Sequence, residues 1–108
     1  MLSCDEFKAI LERLKPGAEI EIWTKGMTDS YMIIKYRDNV SFQKCGYPPF
    51  DVSEYGSFDE LLDEATIEGT AIRQMWDKIG DIVVNNTFSM NVDDDIRWLK
   101  NSYCYIRE

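Results

Sequence analysis

The chain has 108 residues, of which 44% are hydrophobic and 13% aromatic, which suits one folded domain spanning residues 1–108. Twelve basic and twenty acidic residues give a net charge of -8, which disfavours direct binding to the phosphate backbone of a nucleic acid. The sequence contains no histidine, and this excludes Ser-His-Asp triads, Cys-His dyads and histidine-ligated metal sites.

The first predicted element is a helix that starts after Ser3. Ser3 and Glu6 have the spacing of a capping box, in which each side chain bonds the backbone amide of the other residue. An apolar stripe at helical spacing follows, formed by Phe7, Ile10, Leu11 and Leu14. Lys15, Pro16 and Gly17 end the helix.

Three strands are predicted next, over residues 18–23, 31–37 and 40–45, and they form an antiparallel meander. In the first strand Ile20 and Ile22 alternate with Trp23 and its acidic neighbours, so Trp23 lies on the opposite face from the isoleucines. Two interpretations of Trp23 follow: it is an exposed residue that contacts a partner, or its ring packs beneath the sheet.

The middle of the chain predicts a connector and two short helices. Residues 46–50 contain two prolines, which cannot donate to a central ladder, so this segment is an extended connector. Ser57 and Glu60 form a second capping box at the start of one helix. Thr70 is predicted to cap the start of another helix. Gly80 is predicted to end that helix by adopting the left-handed backbone conformation.

The C-terminal part predicts a hairpin from residues 82–84 and 87–90. Beyond it, residues 96–101 suit a short helix followed by a strand over 103–106, with a second hairpin as the alternative. The predicted fold class is therefore α+β: an N-terminal helix, a three-stranded antiparallel meander, two short helices and a C-terminal hairpin or helix-strand tail.

Charge is distributed unevenly along the chain. Residues 1–50 hold seven acidic and seven basic residues, whereas residues 51–108 hold thirteen acidic and five basic ones. The acidic residues are densest from Asp51 to Glu68, where no basic residue occurs. Such a run is either an ordinary solvated face or a surface that attracts a basic partner.

Aromatic residues accompany the acidic run, as expected for apolar anchors inside a charged rim. The predicted partner-binding residues are ten in number. The charged members are Asp51, Glu54, Asp59, Glu60, Asp63 and Glu64, and the aromatic members are Tyr47, Phe50, Tyr55 and Trp23.

Catalytic, metal and cofactor sites are not predicted. The segment after Asp51 resembles the start of a calcium loop, but it has Tyr55 and Leu62 where ligands are required. Residues 93–95 are three aspartates that better suit a helix start than a metal site. Cys4, Cys45 and Cys104 form no metal-binding or disulfide pattern, and a reducing cytoplasmic location is expected.

The leading hypothesis is a non-catalytic acidic module that binds a basic partner protein. In size and acidity the chain is similar to small toxin-immunity and phage-encoded inhibitor proteins, although no motif assigns it to one family. The expected partner is a nuclease or another nucleic-acid-handling protein whose basic surface is occluded. The alternative is a homo-oligomeric accessory domain that associates through the strand face around Trp23 and Tyr31. In this alternative the acidic residues only keep the protein surface solvated.

Overall fold

The computed structural model describes residues 1–26, 28–85 and 88–93. Its helices are α1 (Cys4–Arg13), α2 (Phe58–Glu64) and a 3₁₀ helix (Ile72–Lys78). Its strands are β1 (Glu19–Thr24), β2 (Ser30–Lys35), β3 (Val40–Lys44), β4 (Ser53–Tyr55), β5 (Thr66–Ile67), β6 (Thr70–Ala71), β7 (Ile79–Val84) and β8 (Phe88–Asn91). The α+β class is confirmed.

Six strands form one antiparallel sheet in the order β4-β3-β2-β1-β7-β8, and β5 and β6 form a separate pair. The predicted meander is confirmed as β1, β2 and β3. It is extended by β4 on one side, a strand too short and polar to be recognised in the sequence. On the other side the chain returns through the helices to place β7 beside β1.

The sheet buries one face much more fully than the other. Ile20, Ile22 and Ile33 point toward the helices and are completely buried. Their neighbours on the opposite face, such as Trp23 and Ile34, are half-buried. Because strand side chains alternate between faces, this pattern defines an inner face under the helices and an outer face.

Helix α1 begins as the sequence predicts. The Ser3 hydroxyl accepts from the Glu6 amide at 3.1 Å, and the Glu6 carboxylate accepts from the Ser3 amide at 3.0 Å. At the other end, the Lys35 ammonium on β2 donates to the carbonyls of Leu11, at 3.2 Å, and Leu14. A cation at the helix C-terminus satisfies carbonyls that lack helical partners, so it fixes α1 onto the sheet.

The second capping box forms only in part. The Ser57 hydroxyl accepts from the Glu60 amide at 3.1 Å, as predicted. The Glu60 carboxylate instead accepts from the Gly56 amide at 2.7 Å, one residue before the cap. The helix still starts at the predicted place because the backbone amide of its first turn is capped.

The predicted third helix is present as a 3₁₀ helix, but its predicted cap at Thr70 and end at Gly80 are wrong. Thr70 lies in β6, which pairs with β5 across a two-residue turn at Glu68 and Gly69, where φ is 52° and 86°. Positive φ at both turn residues matches the twist of a tight hairpin, so the chain pairs with itself there. The 3₁₀ helix follows Ala71 without a side-chain cap, and Gly80 lies inside β7.

The predicted C-terminal hairpin is confirmed by the pairing of β7 with β8. Asn85 has a φ of 52°, as suits a residue leaving a strand into a tight turn. The helix or hairpin predicted for residues 96–106 lies outside the described residues. In the part of the chain that is described, no helix is long and apolar enough to span a membrane.

Adjacent isoleucines on β2 test the unequal burial of the two faces. We expect Ile33→Ala to lower the free energy of unfolding by roughly 2–5 kcal/mol, because Ile33 is fully buried. Ile34→Ala, its matched control on the outer face, should cost about 1 kcal/mol or less. Chemical denaturation followed by circular dichroism measures both values. Equal losses would show that the outer face is as fully covered as the inner one.

Candidate functional site

The acidic residues between Asp51 and Glu68 do not share one surface. Asp59 and Asp63 lie in an ion-pair network with Arg73 and Lys8. The Arg73 guanidinium contacts Asp59 at 2.9 Å and Asp63 at 2.5 Å, and Lys8 contacts Asp59 at 2.7 Å. Arg73 also reaches Asp5 on α1 at 3.0 Å. This network therefore joins α1, α2 and the 3₁₀ helix.

Ion pairing offsets part of the charge of the two network aspartates. The hydrogen bond from Lys8 is the largest effect holding the pKa of Asp59 below its ordinary value, and Arg73 adds to it. The pKa of Arg73 is raised, chiefly by its hydrogen bond to Asp63. Carboxylates engaged in this way have less charge to offer a partner.

Two further predicted residues are not part of this network. Glu60 accepts from the Gly56 amide at the start of α2, and it lies beside Glu64, whose pKa is raised by desolvation and further by the charge and hydrogen bond of Glu60. Glu54 is on the outer face, because it pairs with Ser41 in the β3–β4 ladder and both side chains alternate away from the helices. Of the six predicted acidic residues, this leaves Asp51 and Glu64 to consider together.

Asp51 and Glu64 line a groove of about 390 Å³ at the inner edge of the sheet, which we call the acidic groove. Strand ends from β2 and β3, the connector before β4 and the segment after α2 surround it. Its lining residues are Tyr31, Phe42, Gln43, Lys44, Phe50, Asp51, Ser53, Tyr55, Glu64, Thr66 and Glu68. Four of the ten predicted site residues therefore meet here.

The connector holds Phe50 at the mouth of the groove. Gln43 donates to the Phe50 carbonyl at 2.8 Å. The Phe50 ring also packs against Gly46 so closely that a Cβ there would lie 2.7 Å from a ring carbon. Glycine at position 46 thus allows the connector to fold back on itself. Tyr47 points away and is 97% exposed.

The groove carries a negative potential. Asp51, Glu64 and Glu68 form no ion pair with any described residue. Desolvation raises the pKa of Glu64, and the neighbouring charge of Glu60 raises it further. Glu64 is therefore harder to ionise beside other carboxylates, and a positive charge brought into the groove would stabilise its ionised form.

Glu68, Tyr31 and Lys44 also line the groove but are not among the predicted binding residues. Glu68 is predicted only as the last residue of the acidic run, although the Glu68-Gly69 pair before a β-prone Thr70 is compatible with a hairpin turn.

The hypothesis that Tyr31 shares a strand face with Trp23 is wrong, because Tyr31 pairs with Ile22 and Trp23 pairs with Ser30. Lys44 is the strand partner of Tyr31. Their pairing across β2 and β3 places both side chains on the inner face at the sheet edge.

Trp23 lies on the outer face and is separate from the groove. It borders a shallow depression together with residues of β7 and β8, among them Asp81, Val83 and Asn91. Its half-buried position shows that the ring is not packed beneath the sheet.

A second cavity, of about 280 Å³, is lined by charges of both signs. Lys25 and Lys78 face Glu68 and Asp77 there. Among the described residues, no group of three cysteine or acidic side chains could hold a metal ion. Burial raises the pKa of the Cys4 thiol, which makes it a poor nucleophile. The arrangement best suited to recognition is therefore the acidic groove.

Comparison of the chain with protein-family models, curated proteins and solved structures found no match.

The ion-pair network predicts an acid-dependent loss of stability. The pKa of Asp59 is lower in the folded state, so its contribution is present above its ordinary pKa of 3.8 and is lost as the pH falls further. We expect Asp59→Asn to lower the melting temperature at pH 7 but to match the wild type at about pH 2.

Asp77→Asn is the matched control, because Asp77 is exposed and forms no ion pair among the described residues. It should leave the melting temperature within about 1 °C at both pH values. A difference between Asp59→Asn and wild type that stays constant with pH would contradict the prediction.

Proposed function

We propose that this protein is a non-catalytic interaction module that binds and occludes a basic surface on a partner protein. The acidic groove is the binding site, with Asp51, Glu64 and Glu68 supplying charge and Phe50 and Tyr55 supplying apolar contact. The observation that carries this proposal is that these three carboxylates lack ion-pair partners among the described residues.

Charge complementarity favours a partner that handles nucleic acid. A protein surface that holds phosphates is rich in lysine and arginine, and such a surface attracts carboxylates equally well. Occupying it would block access of the nucleic acid, as an immunity or anti-defence inhibitor does. The proposal includes a cytoplasmic location, which the free thiols of Cys4 and Cys45 favour.

The test requires a purified partner. Capture from the native host, or a nuclease encoded beside this gene, supplies the candidate protein. We expect its dissociation constant, measured by calorimetry, to rise by about tenfold or more between 50 and 200 mM salt. The triple variant D51N/E64Q/E68Q should bind roughly 100-fold more weakly, at about 1 kcal/mol for each lost charge.

A control variant, E19Q/D38N/D77N, removes the same charge outside the acidic groove and should change affinity by less than about fivefold. Nucleic acid should compete with this protein for its partner. Affinity that is insensitive to salt, equal effects of the two triple variants or failure of nucleic acid to compete would each contradict the proposal.

The outer face of the sheet supports a second candidate function, self-association. All three described helices pack on the inner face, whereas Trp23, Met32, Ile34 and Val83 are half-buried on the outer face. A row of apolar side chains on a sheet face that none of the described helices covers is suited to pairing with another copy.

Size-exclusion chromatography with light scattering tests self-association. If this face forms a dimer, Trp23→Ala should shift the molar mass from dimer to monomer at micromolar concentration, because large aromatic residues dominate interface energy. Tyr47→Ala, which removes an exposed ring away from this face, is the control. A monomeric wild type, or a dimer unchanged by Trp23→Ala, would eliminate this candidate.

A further inference from the structure

The cavity of about 280 Å³ lies on the inner side of the sheet, at the end of β1. Its floor is formed by three buried residues, Thr24 on β1, Ile67 on β5 and Met75 in the 3₁₀ helix. The Lys25 amide donates to the Lys78 carbonyl at 2.8 Å, which ties the end of β1 to the end of the 3₁₀ helix. The volume is well above the roughly 30 Å³ that one water molecule takes up in the liquid, so the cavity admits a small organic molecule.

A buried hydroxyl without a hydrogen-bond partner belongs to this floor. Thr24 is 5% exposed, and alternation along β1 places its side chain on the inner face with Ile20 and Ile22. Among the buried side-chain oxygen and nitrogen atoms of the described residues, Thr24 Oγ1 is the one that has no partner. An unpartnered buried hydroxyl costs stability, and native structures keep few of them. Because Thr24 lines the cavity, a polar group bound there can pair with this hydroxyl.

Charges of both signs surround the mouth of the cavity without pairing with one another. Lys78, Glu68 and Asp77 are exposed, and none of them forms an ion pair with a described residue. Lys25 is engaged by Asp93 at 3.1 Å. A bound molecule that carries both a positive and a negative charge therefore meets a complement for each of them in the same rim.

We propose that this cavity binds a free amino acid whose side chain carries an amide or a hydroxyl group. The side chain enters along Ile67 and Met75 and forms a hydrogen bond with Thr24 Oγ1, while the ammonium and carboxylate groups stay at the charged rim. The site is distinct from the acidic groove, and it does not depend on the partner-binding function. Glu68 borders both sites, so the substitutions that test this site leave it unchanged.

A free amino acid fits the cavity better than a simple anion or cation does. The rim holds two ammonium and two carboxylate groups, so a ligand with one net charge is attracted by one pair and repelled by the other. The apolar surface of Ile67 and Met75 favours a ligand with a methylene stem. An amide or a hydroxyl both donates and accepts, so it suits the Thr24 hydroxyl in either role.

A series of amino acids tests the ligand class. We expect L-glutamine to shift the NMR methyl signals of Ile67 and Met75 saturably. L-norleucine, which lacks a polar side-chain group, should bind about fivefold more weakly. N-acetyl-L-glutamine amide, which lacks both charges, should bind about tenfold more weakly. The assignment is overturned if none of L-glutamine, L-asparagine and L-threonine gives a saturable shift, or if L-norleucine binds as tightly as the best of them.

Thr24→Val tests the role of the hydroxyl, because it keeps the side-chain shape. Without added amino acid it should raise the melting temperature by about 4 °C, since it removes an unpartnered buried polar group. It should also weaken L-glutamine binding by about fivefold and leave L-norleucine binding unchanged. Ser30→Ala is the control, because the buried Ser30 hydroxyl donates to Glu21 outside the cavity. It should lower the melting temperature and leave L-glutamine binding unchanged.

Lys78→Gln tests the charged rim. Of the two lysines that line the cavity, Lys78 is the one without an ion pair among the described residues, and its loss should weaken L-glutamine binding by about threefold to fivefold. Lys15→Gln, which removes an exposed ammonium outside the cavity, should not change binding. A lower melting temperature of Thr24→Val would show that the hydroxyl already has a partner in the folded protein. L-glutamine binding that is unchanged in Thr24→Val or in Lys78→Gln would refute the proposed site.

Discussion

The contacts of Arg73 and Lys8 with Asp59 determine which carboxylates of the described chain are ion-paired and which are not. Arg73 comes from the 3₁₀ helix, Lys8 from α1 and Asp59 from α2, so all three helical segments meet at one carboxylate. Lys8 and Arg73 offset part of the negative charge where these helices meet on the sheet. Without those cations, the carboxylates of Asp59, Asp63 and Asp5 would repel one another where α1 and α2 approach. Carboxylates that are ion-paired in this network are thus distinct from Asp51, Glu64 and Glu68, which form no ion pair with any described residue.

Because of this separation, the net charge of -8 does not describe the charge of any one surface. At physiological salt, charges more than about 8 Å apart are largely screened, so a partner responds to a local cluster and not to the total. The acidic groove brings together Asp51, which precedes β4, Glu64 at the end of α2 and Glu68 in the turn after β5. Aromatic side chains of Tyr31, Phe42, Phe50 and Tyr55 form part of its walls. A groove of this kind can select a partner by shape as well as by sign.

Much of the fold follows from local sequence. The capping box at Ser3 and the alternation around Ile20 and Ile22 predict α1 and the meander correctly, because capping and strand periodicity are short-range effects. The region from Thr66 to Gly80 was misjudged for a physical reason. Its apolar spacing suits a helix, but the turn at Glu68 and Gly69 pairs β5 with β6, and the helix that follows is a 3₁₀ helix. Periodicity cannot show which of two local structures the tertiary packing will favour.

The candidate site was less predictable than the fold, because it depends on contacts between distant residues. The sequence shows that Asp59 and Glu64 are both acidic and close together, yet only the folded chain brings Arg73 to one and leaves the other without an ion pair in the described region. Helix geometry explains the difference: five residues apart, the two carboxylates are displaced by more than one turn and face different neighbours. Which carboxylates are ion-paired is therefore decided by packing between distant segments of the described chain, and the sequence alone does not show it.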